Sequence, residues 1–273
     1  RSIFLFGHPG NGKTTIAEAV GFMILQDEMF IPYAVEVDGQ VIKVFDAVSH
    51  KEIPDEAVNK YGMPGDVKRL DRRWVRIRRP VVVTGGELTL ESLDLNWDNA
   101  KKYYEAPLQM KANGGMFLID DFGRQKIRPR DLLNRWIVPL EKRFDYLTLQ
   151  TGNVIQIPFD MLIIFATNLE PQDLVDEAFL RRIRHKIDIQ DPSFDEYREI
   201  FRRVAQSKNI NYDEPILTYL LQDYYVKSNR QLRACHPRDI LDHLTDIARF
   251  RGIPPQLTKE LIDQACEGYF VDL

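Results

Sequence analysis

Residues 2–14 read Ser2-Ile3-Phe4-Leu5-Phe6-Gly7-His8-Pro9-Gly10-Asn11-Gly12-Lys13-Thr14, an apolar, strand-like run that feeds without a mismatch into the spacing G-x-x-x-x-G-K-[ST]. That spacing has a physical basis. Gly7, Gly10 and Gly12 let the backbone curl with its N–H groups pointing inward, and residues 15–25 read as a helix whose positive N-terminal end faces the same point. Such a loop cradles phosphate, so Gly7, His8, Pro9, Gly10, Asn11, Gly12, Lys13, Thr14 and Thr15 are the expected nucleotide-binding residues. Lys13 would place its cation on the β- and γ-phosphates. Thr14 would offer its hydroxyl to Mg²⁺, an ion that binds few protein groups and keeps several waters.

Length and composition bound what surrounds this loop. A chain of 273 residues exceeds the usual size of one core, and a large domain with a smaller companion is expected. The net charge of −4 gives no general attraction to nucleic acid or to an anionic membrane. No apolar run approaches the ~20 residues of a membrane helix. Cys235 and Cys266 lack metal-type spacing and read as reduced thiols, which points to a reducing, cytoplasmic location. Because the chain opens at Arg1, already inside a strand, further sequence upstream is expected.

Along the chain, Tyr33-Ala34-Val35-Glu36-Val37 and Gln40-Val41-Ile42-Lys43-Val44-Phe45 flank Asp38-Gly39, a strong hairpin signal. The arginines and lysine at 68–79 (Lys68, Arg69, Arg72, Arg73, Arg76, Arg78, Arg79) suggest nucleic acid, but interleaved Asp71, Trp74, Val75 and Ile77 favour a solvated, partly packed surface. Residues 80–90, two β-rich runs around Gly85-Gly86, read as a second hairpin.

The next chemical landmark is Gly114-Gly115-Met116-Phe117-Leu118-Ile119-Asp120-Asp121. Four apolar residues make a strand buried on both faces, and two carboxylates emerge at its C-terminal end, where open α/β sheets bind ligands. Asp120 can hold the Mg²⁺ shell, and Asp121 is placed to orient and deprotonate a water. Residues 130–143 follow as an amphipathic helix. A third hairpin spans Tyr146-Leu147-Thr148-Leu149-Gln150 and Val154-Ile155-Gln156-Ile157-Pro158. Met161-Leu162-Ile163-Ile164-Phe165-Ala166-Thr167-Asn168 is then another buried strand ending in polar groups.

The order of these parts resembles that of AAA+ ATPases, most closely the clade with inserted β-hairpins that includes MoxR-like proteins, magnesium chelatase and the bacterial enhancer-binding activators. In that clade one hairpin precedes sensor 1, as residues 146–158 precede Asn168, and another is inserted in helix 2, where residues 80–90 would lie. The resemblance makes Asn168 sensor 1. Within Asp176-Glu177-Ala178-Phe179-Leu180-Arg181-Arg182-Ile183-Arg184 it makes Arg182 the arginine finger, with Arg181 and Arg184 as alternatives. After residue 190 the composition turns helical. Asp191-Pro192-Ser193 with Glu196 marks a helix start, and further helices are read near 214–225, 238–251 and 258–269. This resembles the AAA+ lid, in which Arg238 of His236-Pro237-Arg238-Asp239 takes the position of sensor 2.

The resemblance thus implies an α/β phosphate-loop AAA+ domain at 1–190, with a central parallel sheet and inserted β-hairpins, followed by a small helical lid at 191–273. It implies catalytic roles for Asp121, Asn168, Arg182 and Arg238, metal ligation by Thr14 and Asp120, and ATP and Mg²⁺ as cofactors. Sites of this family lie between subunits, which implies a homo-oligomeric ring, hexameric in the usual case, or a filament. The expected partner is a protein client to be remodelled, as by MoxR-like chaperones; DNA is admitted but not favoured, and no membrane is involved. Two departures bear on this. Asp121 stands where the family has Glu, one methylene longer, which keeps alive an alternative: a switch or scaffold that assembles on a partner or DNA and hydrolyses little. The family also holds adenine with residues upstream of the first strand, so the preference for ATP rests on the resemblance.

Overall fold

The first strand, β1 (Ser2–Phe6), is paired in parallel on both edges, and its Phe4 and Leu5 are buried against opposite faces of a sheet. This is seen in the computed structural model, which describes residues 1–54, 71–174 and 177–270. Lys68, Arg69 and Asp176, singled out above, lie outside the described residues. The chain folds as two compact units, Arg1–Gly7 with Lys13–Asp188 and His8–Gly12 with Ile189–Leu273.

In the first unit β1 is followed by α1 (Lys13–Ile24), β2 (Glu28–Pro32), β3 (Ala34–Val37), β4 (Gln40–Lys43), β5 (Trp74–Arg78), β6 (Val81–Thr84), β7 (Asn96–Asp98), β8 (Tyr103–Glu105) and α2 (Leu108–Lys111). Then come β9 (Met116–Ile119), α3 (Pro129–Lys142), β10 (Phe144–Thr148), β11 (Val154–Pro158), β12 (Leu162–Ala166), α4 (Pro171–Leu174), α5 (Glu177–Leu180) and β13 (His185–Asp188). The central sheet has the order β13-β1-β12-β9-β6, with every pair parallel. Its strands are apolar on both sides because both sides are covered. Phe4, Phe117, Ile119, Ile163 and Phe165 meet Trp136 of α3 on one face; Leu5, Met116, Leu118 and Ile164 meet Ala17 of α1 on the other. Truncating Trp136, which is fully buried among Phe117, Phe159 and Phe165, would cost about 3–5 kcal/mol.

The hairpin expected around Asp38-Gly39 forms as β3–β4, with both turn residues at positive φ (52° and 75°). The hairpin β10–β11 also forms, anchored by Asp145, which accepts from Arg135 Nη1 of α3 at 2.5 Å and from Gln109 Nε2 at 3.2 Å. The hairpin expected at 80–90 does not. Val81–Thr84 instead enters the central sheet as edge strand β6 beside β9, and the chain then turns so that Leu88 and Leu93 bury in the core. A β-rich run has no local hairpin partner when a buried parallel strand offers it a better one, and the assignment of 80–90 as a helix-2 insertion falls with it. The parallel docking also explains Gly115: a Cβ there would stand 2.0 Å from the Pro80 carbonyl oxygen, which accepts from Met116 N. Two further pairings carry no local sequence signal, a four-stranded sheet β3-β4-β8-β7 and a two-stranded ribbon β2–β5.

The second unit contains α6 (Phe194–Ser207), α7 (Glu214–Leu220), a turn of wider helix at Leu221–Val226, α8 (His236–Arg251) and α9 (Lys259–Tyr269). The N-terminus of α6 carries a full capping box between Ser193 and Glu196. Its core joins Tyr197, Phe201, Leu217, Ile240, Leu244 and Ile262. A polar chain crosses it: Tyr197 and Tyr225 share a hydroxyl hydrogen bond of 2.8 Å, and Tyr225 Oη lies 2.9 Å from His236 Nδ1. Burial pushes the His236 imidazole down to about 4, so it is neutral and structural.

Candidate functional site

Two carboxylates and an amide converge at the C-terminal ends of the central strands. Leaving β9, Asp120 accepts from Thr14 Oγ1 at the start of α1, at 3.0 and 2.9 Å from its two oxygens. Lys13, almost wholly buried, donates from Nζ to the Gly7 carbonyl at 2.9 Å. Asp121 is exposed, sits at φ 48°, and accepts from Asn168 Nδ2 at 3.3 Å. The Asp121 side chain is thereby turned out of the strand line toward Asn168, two residues beyond the end of β12.

The turn holding these groups is hydrogen-bonded throughout. Phe122 N donates to Ala166 O at 2.7 Å, Thr167 Oγ1 to Phe122 O at 2.6 Å, and Gln125 Nε2 to Asp120 O at 2.7 Å. Asp121 N reaches Asp120 Oδ1 at 3.0 Å. Thr167 and Gln125 therefore fix where the carboxylates stand. Neither was singled out in the sequence, where a Thr before an Asn and a Gln in a polar turn carry no periodic signal.

The tip of the loop, His8–Gly12, is organised inside the helical unit. Asp191 Oδ1 accepts from Asn11 Nδ2 at 2.7 Å and from Arg233 Nη1, and lies 3.3 Å from His8 Nδ1. Burial would raise this carboxyl, but the hydrogen bond from Asn11 and the Arg233 charge hold it below its ordinary range. Asn11 Oδ1 accepts from Ala234 N at 3.2 Å, and Gly10 O from Cys235 N at 2.8 Å. Gly10 sits at φ 83°, and a Cβ there would stand 2.6 Å from Cys235 Sγ, so two constraints require glycine. In the sequence Asp191 reads only as part of a helix start and Cys235 only as a thiol; their contacts join residues about 180 and 225 apart, beyond any local pattern.

The remaining candidates make other contacts. Arg182 donates from Nε to Glu141 Oε1 at 2.6 Å, Arg181 pairs with Glu177 at 2.8 Å, and Arg184 is exposed without an ion pair among the described residues. Arg238 is largely exposed on α8 and reaches Asp239 at 3.4 Å. Thr15 is exposed in the first turn of α1. Among the described residues no cluster of three or more His, Cys, Asp or Glu could hold a metal, and no helix is long and apolar enough to cross a membrane.

A family model described as a domain of unknown function (DUF8689) matches residues 193–268, within the helical unit. No curated protein matches the sequence. Solved structures do match the fold. NtrX from Brucella abortus in complex with ADP aligns over 95% of this chain and 48% of its own, at TM-score 0.54 and 14% identity. The Thermotoga maritima RuvB Holliday junction branch migration motor aligns over 99% of this chain and 62% of its own, at TM-score 0.55 and 12% identity. A point mutant of that RuvB aligns over 99% of this chain and 63% of its own, at TM-score 0.56 and 12% identity. The chain spans less than two thirds of the length of these proteins. With its central parallel sheet and helical C-terminal part, the fold is of the AAA+ type.

Proposed function

We infer that this chain binds Mg–ATP at the loop from Gly7 to Thr15 and hydrolyses it, coupling turnover to the remodelling of a protein partner in a homo-oligomer. The observation that carries the reading is the contact of Thr14 with Asp120. It sets a hydroxyl and a carboxylate side by side at the mouth of a phosphate loop, the sparse oxygen set with which Mg²⁺ is held beside water and phosphate. When bound there, the cation would neutralise charge on the β- and γ-phosphates.

The chain's own groups divide the remaining work. Lys13 would leave the Gly7 carbonyl for the phosphates, the backbone of the loop would donate N–H groups, and Asp121 with Asn168 would hold the attacking water and accept its proton. Arg238 and an arginine of a neighbouring copy, Arg182 by resemblance, would stabilise charge on the transferring group. The ADP bound to the NtrX neighbour and the motor role stated for RuvB agree with an adenine nucleotide and with mechanical output. A MoxR-like, chaperone-type output on a protein client is the finer form of the proposal. The proposed domain limits are 1–190 and 191–273.

Titration with a fluorescent ATP analogue, with and without Mg²⁺, tests the binding step. Saturable binding that Mg²⁺ strengthens and Lys13→Ala abolishes is expected. Binding unchanged in Lys13→Ala would remove the loop from the mechanism.

A further inference from the structure

The ribbon β2–β5 sorts its side chains by face. Its register sets Glu28 opposite Arg78, Phe30 opposite Arg76 and Pro32 opposite Trp74. Because alternate residues of a strand share a face, these six lie together, and Met29, Ile31, Val75 and Ile77 lie on the other side. That other side packs inward, with Ile31 and Ile77 buried. On the first face Phe30 and Trp74 remain 48% and 49% exposed, and Tyr33, just beyond β2, is 48% exposed. Half-exposed aromatic rings with guanidinium groups between them form a surface that water covers at a cost.

The rings form a cavity. Phe30, Tyr33, Phe45 and Trp74 wall a volume of about 250 Å³. Tyr33 stacks on Phe45 (centroids 5.7 Å apart, 27° between planes) and Phe45 on the buried His50 (5.8 Å, 22°), so the column ends outward at the half-exposed Tyr33. A flat aromatic guest would extend it.

Charge decides what kind of guest. Arg72 and Arg76 line the cavity, as do Asp71 and Glu52. Asp71 is taken by Arg73, whose guanidinium donates to it at 2.6–3.0 Å, Glu28 by Arg76, and Asp27 by Arg79 at 3.9 Å. Arg72 in the cavity, and Arg78 and Lys51 in the adjoining cleft, have no carboxylate partner among the described residues, against Glu52 in the cavity and Glu18 in the cleft. Among the described residues the residual charge is positive, which disfavours a cationic side chain and suits phosphate. Arg76 and Arg78 stand about 7 Å apart along one face of β5. We propose that this ribbon is a platform for single-stranded nucleic acid, with one base entering among Phe30, Tyr33 and Trp74 and the flanking phosphates met by Arg72, Arg76 and Arg78. An unpaired strand is required, because the bases of a duplex already stack on one another and cannot enter the cavity.

Fluorescence anisotropy with a labelled oligothymidylate of about 15 nucleotides tests this on the whole chain, without ATP. Wild type should bind, Trp74→Phe should bind similarly, and Trp74→Ala should bind at least about fivefold more weakly, as loss of one stacked base demands. Arg72→Ala with Arg78→Ala, both at exposed positions, should lower the slope of log affinity against log salt by about 1.4, or about 0.7 for each phosphate that is no longer neutralised. ATP-analogue binding should be unchanged in all three variants, which separates this platform from the nucleotide site. No binding by wild type, equal binding by Trp74→Ala, or an unchanged salt slope in the arginine pair would overturn the proposal. So would equally tight binding of a duplex of the same length, or displacement of the oligonucleotide by a trimethyllysine peptide, which would mark the cavity as a cation cage.

Discussion

Thr14 Oγ1 stands 3.0 and 2.9 Å from the two carboxylate oxygens of Asp120, a contact between residues 106 apart in sequence that no local folding rule requires. It depends on the start of α1 and the end of β9 lying at the same edge of the central sheet. Strand order supplies this, since only β12 separates β1 from β9. The hydroxyl and the carboxylate that the proposed function assigns to Mg²⁺ thus come together through the placing of two strands.

Roles for the two carboxylates follow from their surroundings. Asp120 faces Thr14, whereas Asp121 points to Asn168. Asp120→Asn should weaken Mg–ATP binding and turnover together. Asp121→Asn should leave binding within about twofold and reduce hydrolysis by about 10²–10⁴, the usual worth of a general base. Normal hydrolysis by Asp121→Asn, read as phosphate release, would assign the base to another group.

The loop tip should answer to substitutions on the helical unit. Asp191→Ala removes the acceptor shared by Asn11 and Arg233 and should weaken ATP binding about tenfold, roughly the worth of one charge-assisted hydrogen bond. A titration with the ATP analogue reads that effect. Gly10→Ala should cost about 1–3 kcal/mol of stability from its positive φ alone. Adding Cys235→Ala to Gly10→Ala should recover part of the loss, because it removes the collision but not the backbone strain. Thermal melting of the single and double variants checks both expectations.

A pH response is expected from the helical unit. The unfolded chain protonates His236 near its ordinary 6.5, whereas burial keeps the folded imidazole neutral down to about 4. Between those values the unfolded state binds the extra proton, so stability falls as pH is lowered from 6.5 toward 4. His236→Gln should flatten the melting temperature over that window relative to wild type. Parallel curves for the two proteins would show that His236 does not carry the effect.

Intersubunit catalysis is tested at Arg182. Its ion pair with Glu141 lies at the surface and is worth about 0–1 kcal/mol, so a neighbour's γ-phosphate can compete for the guanidinium. Arg182→Ala should bind ATP almost normally yet lose about 10³–10⁵ in turnover, and mixing with Lys13→Ala subunits, which donate an intact arginine, should restore activity. A defect in Arg184→Ala with none in Arg182→Ala would move the finger to the exposed arginine.

The sheet was legible because its signals are local. Buried parallel strands read as unbroken apolar runs, as at Met116–Ile119 and Leu162–Ala166, and the phosphate-loop glycines follow a fixed spacing. The hairpin at Asp38-Gly39 was legible from its turn chemistry. Residues 80–90 misled because Val81–Thr84 shows the same β-rich composition whether its partner is the next run or a strand more than 30 residues away. The Asp191–Asn11–Arg233 cluster was hidden for a similar reason, since a carboxylate before a helix looks like a cap until the fold supplies a distant donor.

Hydrolysis at the phosphate loop is tested most directly by phosphate release from Mg–ATP, measured across a wide range of protein concentration for wild type and Lys13→Ala in parallel. Turnover per wild-type chain should rise with concentration as subunits assemble and then level off, while Lys13→Ala stays at background throughout. Equal release by the two proteins, or none by wild type at any concentration, would contradict the account.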